Sequence, residues 1–189
     1  MTAIAGWIDE ELKCVWMGAD SGGTDGHSIH SRVDRKVFSV GDYLIAGTGS
    51  YRMIQLLMYG DHSFNLSKLK PPRKKEDMHK FMVTKFVPLI RQIFAKGGFS
   101  SSTEGEEAFY GGFLVGIKDS LFCVETDFHV GEYARYVAGG SGHDFCMGAL
   151  SVCWDCGFPP EEALESALNC AALYCTSVQG PNIIINNFK

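Results

Sequence analysis

A chain of 189 residues with 46% hydrophobic and 21% charged residues has the length and composition of one globular domain, which we expect to span residues 1–189. The formal net charge of −5 argues against nucleic acid as the main partner. No basic segment opens the chain and no apolar run reaches the ~18 residues of a membrane span, so neither a secretory signal nor a membrane anchor is predicted. An odd number of cysteines, seven, favours reduced and mostly buried thiols in a cytoplasm.

A β-rich block opens the chain. Apolar runs at residues 2–8, 14–19 and 43–47 predict three strands. The polar residues 9–11 between the first two runs predict a hairpin turn.

A helical middle follows this block. The spacing of the apolar residues predicts helices over 51–59 and 76–94, and Pro88 is expected to kink the second. The polar segment 61–75 between them predicts a surface loop. A solvated loop explains its basic residues better than a nucleic-acid site does; these residues are Arg73, Lys74 and Lys75.

A second β-rich block and a helical last third complete the chain. Strands are predicted over 109–117, 121–125 and 135–138, with a turn at 118–120. A glycine-rich turn at 139–142, helices over 144–156 and from Pro160 onward, and a strand over 182–188 come next. The last helix is expected to bury one apolar face, made of Leu164, Leu168, Ala171 and Cys175. This order predicts an α+β fold in which helices pack on largely antiparallel sheets.

Common catalytic and ligand motifs are weak in this sequence. Cys153 and Cys156 form a lone CxxC pair inside a predicted helix, whereas a zinc site needs four ligands. The six histidines show no HExxH pattern, and the glycines at 139–142 are not followed by the lysine of a phosphate-binding loop. We therefore expect neither a metal nor another cofactor, and assign the histidines to surface or hydrogen-bonded positions.

The start of the chain offers a different kind of chemistry. Thr2 follows Met1, and a small second residue allows methionine aminopeptidases to expose a free N-terminal threonine. The reference pKa of a free α-amine is near ~7.7–8.0, so at neutral pH this amine can act as a base toward the hydroxyl of its own residue. One residue would then supply both nucleophile and base.

Downstream spacing strengthens this interpretation. Asp20 follows the second predicted strand, Lys36 comes sixteen residues later, and the segments Ile45-Ala46-Gly47 and Gly140-Ser141-Gly142 follow in order. Over nearly its whole length, the chain resembles the proteasome β subunits and the peptidase HslV. It is most similar to short HslV-like proteins of bacteria and phages, which also begin Met-Thr-Ala-Ile. The resemblance implies a four-layer αββα sandwich of the N-terminal-nucleophile (Ntn) hydrolases, with antiparallel sheets flanked by helices, in a bacterial or phage-infected cell.

The resemblance also implies roles for single residues. Thr2 matches the nucleophile, and Asp20 and Lys36 match the charged pair beside it, in which the lysine lowers the pKa of the threonine amine and hydroxyl. An ordinary ion pair joining two strands is the alternative for Asp20 and Lys36. Ser141 matches a serine that hydrogen-bonds near the amine, and Gly47 matches an oxyanion-hole donor.

Three further positions match less directly. Gly49 is the substitute donor if the alignment is shifted by two residues, and a tight turn is the alternative for both glycines. Thr24 matches the position that binds an extended substrate by strand addition, with Gly49 beside it. Proteasome subunits have an Asp and a Ser after the last helix, where this chain reads Tyr174-Cys175-Thr176-Ser177-Val178, and Ser177 is the candidate assisting residue.

These positions predict a threonine peptidase that cleaves peptides or unfolded proteins. A catalytically inactive member of the same fold, acting as a structural ring or binding protein, is the alternative. By resemblance we also expect a homo-oligomeric ring or helical array and an ATP-dependent unfoldase as a possible partner.

Overall fold

We describe a computed structural model of the chain, which covers residues 2–25, 27–60, 65–103 and 106–188. Within these ranges the strands are β1 (Ala3–Asp9), β2 (Cys14–Ala19), β3 (Gly22–Thr24), β4 (Ile29–Ser31), β5 (Val37–Val40), β6 (Tyr43–Gly49), β7 (Ser101–Thr103), β8 (Glu106–Ala108), β9 (Gly111–Ile117), β10 (Ser120–Val124), β11 (Val130–Tyr133), β12 (Tyr136–Gly140) and β13 (Ile183–Asn186). The helices are α1 (Tyr51–Tyr59), α2 (Met78–Phe81), α3 (Val87–Lys96), α4 (His143–Asp155) and α5 (Pro160–Tyr174).

Two antiparallel sheets form the middle of the molecule. The first has the strand order β12-β1-β2-β13 and the second has the order β11-β10-β9-β6-β5. Two short ribbons, β3-β4 and β7-β8, stand apart from them. The strand pairs are antiparallel, as the sequence predicted.

Strand β1 shows how the layers are joined. Its side chains alternate between two faces, and both faces are buried. Ile4 and Ile8 point into a core shared with the second sheet, whereas Ala3, Ala5 and Trp7 pack with α4 and α5. A third core fills the space between the outer face of the second sheet and α1, α2 and α3. The layers are therefore helices, sheet, sheet and helices, which confirms the predicted four-layer αββα arrangement.

The turn between β1 and β2 confirms the predicted hairpin. Asp9 Oδ1 accepts hydrogen bonds from the backbone N–H groups of Glu11 and Leu12, at 3.0 and 2.9 Å. Such a side-chain cap closes a tight turn without a glycine. Lys13 completes the turn in the left-handed region, with φ of 52°.

The predicted second helix is longer and less regular than expected. It begins with a short 3-10 turn at Lys75–Asp77, continues through α2, and widens into a π-helical turn at Met82–Phe86 before α3. Pro88 lies two residues after the widened turn, at the start of α3. Because proline has no N–H and its ring crowds the preceding turn, the irregularity lies where the kink was predicted.

Several short elements differ from the prediction. The ribbon β3-β4, strand β5 and strand β11 were not separate predictions, since each has only three or four residues with half-polar patterns. Gly139 and Gly140, predicted as a turn, are the last residues of β12, where they pair with Ile4 and Ala3. Cys175 does not lie on the face of the last helix, because α5 ends at Tyr174 and the chain becomes extended.

The loop predicted over 61–75 is described from residue 65 onward. It includes a short 3-10 turn at Leu66–Lys68 with Leu66 buried, and its basic residue Lys75 forms an ion pair with Asp119 at 2.8 Å. No helix in the described ranges is long and apolar enough to cross a membrane.

Candidate active site

Thr2 lies at one end of the two-sheet sandwich, immediately before β1. Its exposed fraction is 4%. The Thr2 nitrogen donates a hydrogen bond to Ser141 Oγ at 3.1 Å, and the Thr2 carbonyl accepts one from the Gly142 N–H at 3.3 Å. This nitrogen would become the α-amine if Met1 were removed; Met1 itself is outside the described residues. The first predicted contact, Thr2 with Ser141, is therefore present.

Gly140 lets β12 approach Thr2 closely. Its φ is +87°, a conformation that residues with a side chain rarely adopt. A Cβ added to Gly140 would collide with the Thr2 carbonyl oxygen and lie 2.8 Å from Thr48 Oγ1. Only glycine is compatible with this position.

The Asp20 carboxylate is the centre of a buried network. Oδ1 accepts hydrogen bonds from Lys36 Nζ at 2.7 Å and from the Ala3 N–H at 3.0 Å. Oδ2 accepts from the N–H groups of Gly22 and Gln179, at 2.9 and 3.2 Å. All four partners are N–H donors, so both carboxylate oxygens act as acceptors. Asp20 therefore ties the residue after Thr2 to three other segments.

Lys36 is almost completely buried beside Asp20, with a side chain that is 1% exposed. Burial lowers the pKa of Lys36 from its usual value, and the Asp20 carboxylate opposes this shift. A lysine with a lowered pKa can exchange protons more readily than an exposed one. The predicted charged pair is present, and its burial is unlike that of an ordinary surface ion pair.

A chain of polar side chains leads away from the Thr2 nitrogen. Ser141 Oγ lies 2.9 Å from Ser177 Oγ, and Ser177 Oγ lies 3.2 Å from Cys175 Sγ. Ser177 is buried, whereas Cys175 is half-buried. The structure thus brings Ser177, the candidate assisting residue, next to Ser141, and its assisting role stays a prediction.

The two candidate oxyanion donors differ in their surroundings. The Gly47 N–H donates to the Lys36 carbonyl oxygen at 2.9 Å, directly beyond the end of the β5-β6 ladder, so it is already engaged. Gly49 ends β6 with φ of +100°, and a Cβ there would collide with the backbone of Gly111. The oxyanion roles of both glycines stay predictions.

Thr24 lies in the ribbon β3-β4, where it pairs with Ile29. Tyr51 reaches this ribbon from the start of α1, and its hydroxyl donates to the Gly22 carbonyl oxygen at 3.3 Å. Burial raises the pKa of Tyr51 to about 12, so it remains a neutral donor. The guanidinium of Arg32 stacks 3.8 Å from the centre of the Tyr51 ring. The ribbon is therefore braced beside the Asp20 network, and substrate binding by Thr24 stays a prediction.

The other candidate ligands do not form a centre of their own. Among the described residues, no three His, Cys, Asp or Glu side chains are grouped so that they could hold a metal ion. The seven cysteines are free thiols, four of them buried: Cys14, Cys123, Cys146 and Cys153. Cys156 is exposed at the end of α4.

Sequence reasoning missed three contributors to this site. Gln179 acts through its backbone N–H, and Gly140 acts through its φ, so neither leaves a side-chain signal. Cys175 was placed on a helix face, and only the position of the C-terminal end of α5 turns its thiol toward Ser177. A cysteine two residues before a serine carries no recognisable pattern.

Comparison with known proteins identifies the fold. No protein-family model and no curated protein sequence matches the chain. The structure is similar to that of BPH from Thiobacillus denitrificans, with a TM-score of 0.77 and 17% identity over 97% of this chain and 96% of that one. BPH has also been solved in complex with epoxomicin.

Two other solved structures have similar folds. HslV from Trypanosoma brucei gives a TM-score of 0.66 with 14% identity over 97% of this chain and 98% of that chain. Anbu from Yersinia bercovieri, described as an ancestral β-subunit, gives a TM-score of 0.66 with 16% identity over 98% of this chain and 81% of that chain. These likenesses confirm the predicted Ntn-hydrolase fold of the proteasome and HslV type, and the chemistry must be argued from the residues.

Proposed function

We propose that this chain is a threonine peptidase whose nucleophile is the Thr2 hydroxyl after removal of Met1. The observation that supports it most is the convergence on residues 2 and 3 of two separate polar groups. The Ser141 hydroxyl accepts from the Thr2 nitrogen, and the buried Asp20–Lys36 pair holds the Ala3 N–H. A buried ion pair costs desolvation, so its position beside a candidate nucleophile favours a catalytic role.

The reaction follows from these positions. The Thr2 Oγ attacks the carbonyl carbon of a peptide bond while the free α-amine takes its proton. The amine then gives this proton to the departing nitrogen, the C–N bond breaks, and an ester to Thr2 remains. A water molecule, deprotonated by the same amine, hydrolyses the ester and restores the hydroxyl. The positive charge of Lys36 favours the ionised form of the nucleophile.

Gly49 is the better candidate for the oxyanion donor. Along a strand, the N–H groups of residues two apart point to the same edge, so the Gly49 N–H shares the edge of the engaged Gly47 N–H. Gly49 lies three residues beyond Ala46, the last residue of β6 that pairs with β5. Loss of such a donor typically reduces kcat about 10²- to 10³-fold.

Substrate and partners follow the same proposal. An extended peptide or unfolded protein would bind along the ribbon that contains Thr24, using backbone hydrogen bonds. Self-association into a ring or helical array is proposed through the outer surface of α4 and α5, which exposes Phe145, Val152, Leu173 and Tyr174. An ATP-dependent unfoldase would be the partner that delivers folded proteins. A clean monomer by light scattering at micromolar concentration would argue against the assembly.

A catalytically inactive protein of this fold is the second candidate. The engaged Gly47 N–H favours it, because the donor predicted by resemblance is not available to a substrate. Such a protein would keep the fold and the buried pair but would not need a free Thr2 amine.

Intact-mass analysis separates the two functions. Protein prepared with active methionine aminopeptidase is incubated with and without epoxomicin, the compound present in the BPH complex. A peptidase is expected to lack one methionine and to form an adduct with epoxomicin. Thr2→Ala should abolish this adduct and lower the rate of peptide hydrolysis by at least ~10³-fold. Thr2→Ser is the matched control, since it keeps a hydroxyl and should keep the adduct. Unchanged hydrolysis in Thr2→Ala would refute the proposal.

A further inference from the structure

Cys175 is the last member of the polar chain that starts at the Thr2 nitrogen. The steps are 3.1 Å from Thr2 N to Ser141 Oγ, 2.9 Å to Ser177 Oγ and 3.2 Å to Cys175 Sγ. The Cys175 thiol also lies 3.6 Å from the Ser141 carbonyl oxygen, to which it can donate. The thiol therefore contacts both serines of the chain.

The protonation state of Cys175 decides the direction of these hydrogen bonds, because each serine hydroxyl has only one proton to donate. A thiolate only accepts, so Ser177 donates to it and Ser141 donates to Ser177. The lone pairs of Ser141 then face the Thr2 nitrogen and hold its N–H. A neutral thiol can donate instead, and Ser141 is then free to turn its proton to the Thr2 carbonyl oxygen, 3.3 Å away.

The surroundings of Cys175 lower the pKa of its thiol. Partial burial raises the pKa of the thiol, but hydrogen bonds from the Ser177 side chain and backbone, and from Ser141, outweigh burial and lower it below the usual value. The charged group that faces it is the Asp20 carboxylate, which opposes the shift, and the neighbouring Cys146 is a buried thiol. Burial raises the pKa of Cys146 to about 12, so it adds no charge near neutral pH.

We propose that Cys175 is a positioning residue for the Thr2 amine. In its thiolate form, Cys175 fixes the direction of the hydrogen bonds through Ser177 and Ser141. The inference rests on the proposed function. It adds a dependence on a thiol to a site whose chemistry otherwise uses hydroxyl, amine and carboxylate groups.

Kinetics of Cys175 variants in the full chain test the catalytic consequence. Cys175→Ala is expected to lower kcat about tenfold with KM changed less than about twofold, since one network hydrogen bond is lost away from the substrate. Cys175→Asp supplies another ionised acceptor, so kcat should recover and the acid limb of the pH profile should move to lower pH. Cys175→Ser keeps the hydrogen bond, but its hydroxyl does not ionise over the pH range of the kcat profile. The contribution of the Cys175 ionisation to the acid limb of that profile should therefore disappear. Cys156→Ala, at an exposed thiol, is the matched control and should leave kcat unchanged.

A second measurement does not need turnover. The rate at which an acylating reagent modifies the Thr2 α-amine is followed against pH by mass spectrometry, after complete removal of Met1. The loss of a nearby thiolate removes negative charge that favours the ammonium form, so the midpoint should move to lower pH in Cys175→Ala and return in Cys175→Asp. Identical amine profiles in the parent, Cys175→Ala and Cys175→Asp would overturn the inference. Absence of Thr2-dependent hydrolysis with a shifted amine profile would overturn the proposed function and leave the positioning role supported.

Discussion

Replacing Asp20 by Asn tests whether the buried pair is ionised. Each carboxylate oxygen accepts two hydrogen bonds, Oδ1 from Lys36 and Ala3, and Oδ2 from Gly22 and Gln179. An Asn amide in either orientation places its NH₂ group against two donors, and it leaves Lys36 without a counter-charge. Breaking a buried pair by removal of one partner costs about 3–5 kcal/mol. For a chain of this length, a loss near 4 kcal/mol corresponds to a fall in Tm of about 12 °C.

A double-mutant cycle with Lys36→Met isolates the interaction. Urea unfolding of Asp20→Asn, Lys36→Met and the double variant should show a coupling free energy of about 2–3 kcal/mol, because the second substitution removes the orphaned charge. Additive effects, or a loss below about 1 kcal/mol in Asp20→Asn, would refute the interpretation of the site as a buried ion pair.

The pH dependence supplies a further check with a defined sign. Burial lowers the pKa of Lys36 in the folded protein, and Asp20→Asn removes the carboxylate that opposes this shift. The unfolded state then binds more protons than the folded state at every pH between the lowered pKa and the ordinary lysine value near ~10.4. The parent shares this rise above its own lowered Lys36 pKa, so the stability of Asp20→Asn should rise relative to the parent between the Lys36 pKa of the variant and that of the parent.

Two further predictions concern glycines. Gly140→Ala should lower stability by about 1–3 kcal/mol and reduce any Thr2-dependent activity, because φ is +87° and the added Cβ collides with the Thr2 carbonyl. Thermal unfolding measures the loss of stability, and formation of the epoxomicin adduct measures the loss of activity. Gly148→Ala should stabilise α4 by about 0.5–1 kcal/mol, since no atom lies within 4 Å of the added Cβ. A loss of stability would contradict this prediction. The contrasting control is Gly18→Ala, whose Cβ would lie 2.8 Å from Leu168 Cδ1.

The parts of the fold that the sequence predicted are those with strong local signals. The hairpin of β1 and β2 has two apolar runs around a polar turn, and α5 begins with Pro160 followed by acidic residues. The short ribbon β3-β4 and strand β5 have no such pattern, because tertiary contacts rather than local propensity hold them. Gly139 was assigned to a turn because the segment 139–142 is rich in glycine. In the structure Gly139 pairs with Ile4 and is therefore part of a strand.

The candidate site was predicted where side-chain identity and spacing are informative. Asp20, Lys36 and Ser141 were predicted because their order along the chain resembles that of the proteasome β subunits and HslV. Contacts through the backbone, such as the N–H of Gly47 donating to the Lys36 carbonyl, depend on strand register and cannot be seen in residue types. Cys175 depends on where α5 ends, and helix ends are among the least predictable features of a sequence.

The donors to the Asp20 carboxylate come from distant parts of the chain, so they leave the ribosome at different times during synthesis. Gln179, which completes the network, lies 159 residues after Asp20. A ribosome-bound chain that has emerged only to α4 already contains Thr2, Lys36 and Ser141, yet it has neither the fourth donor nor Ser177. The hydrogen-bond network around Asp20 and Ser141 can therefore be completed only after residue 179 has left the ribosome.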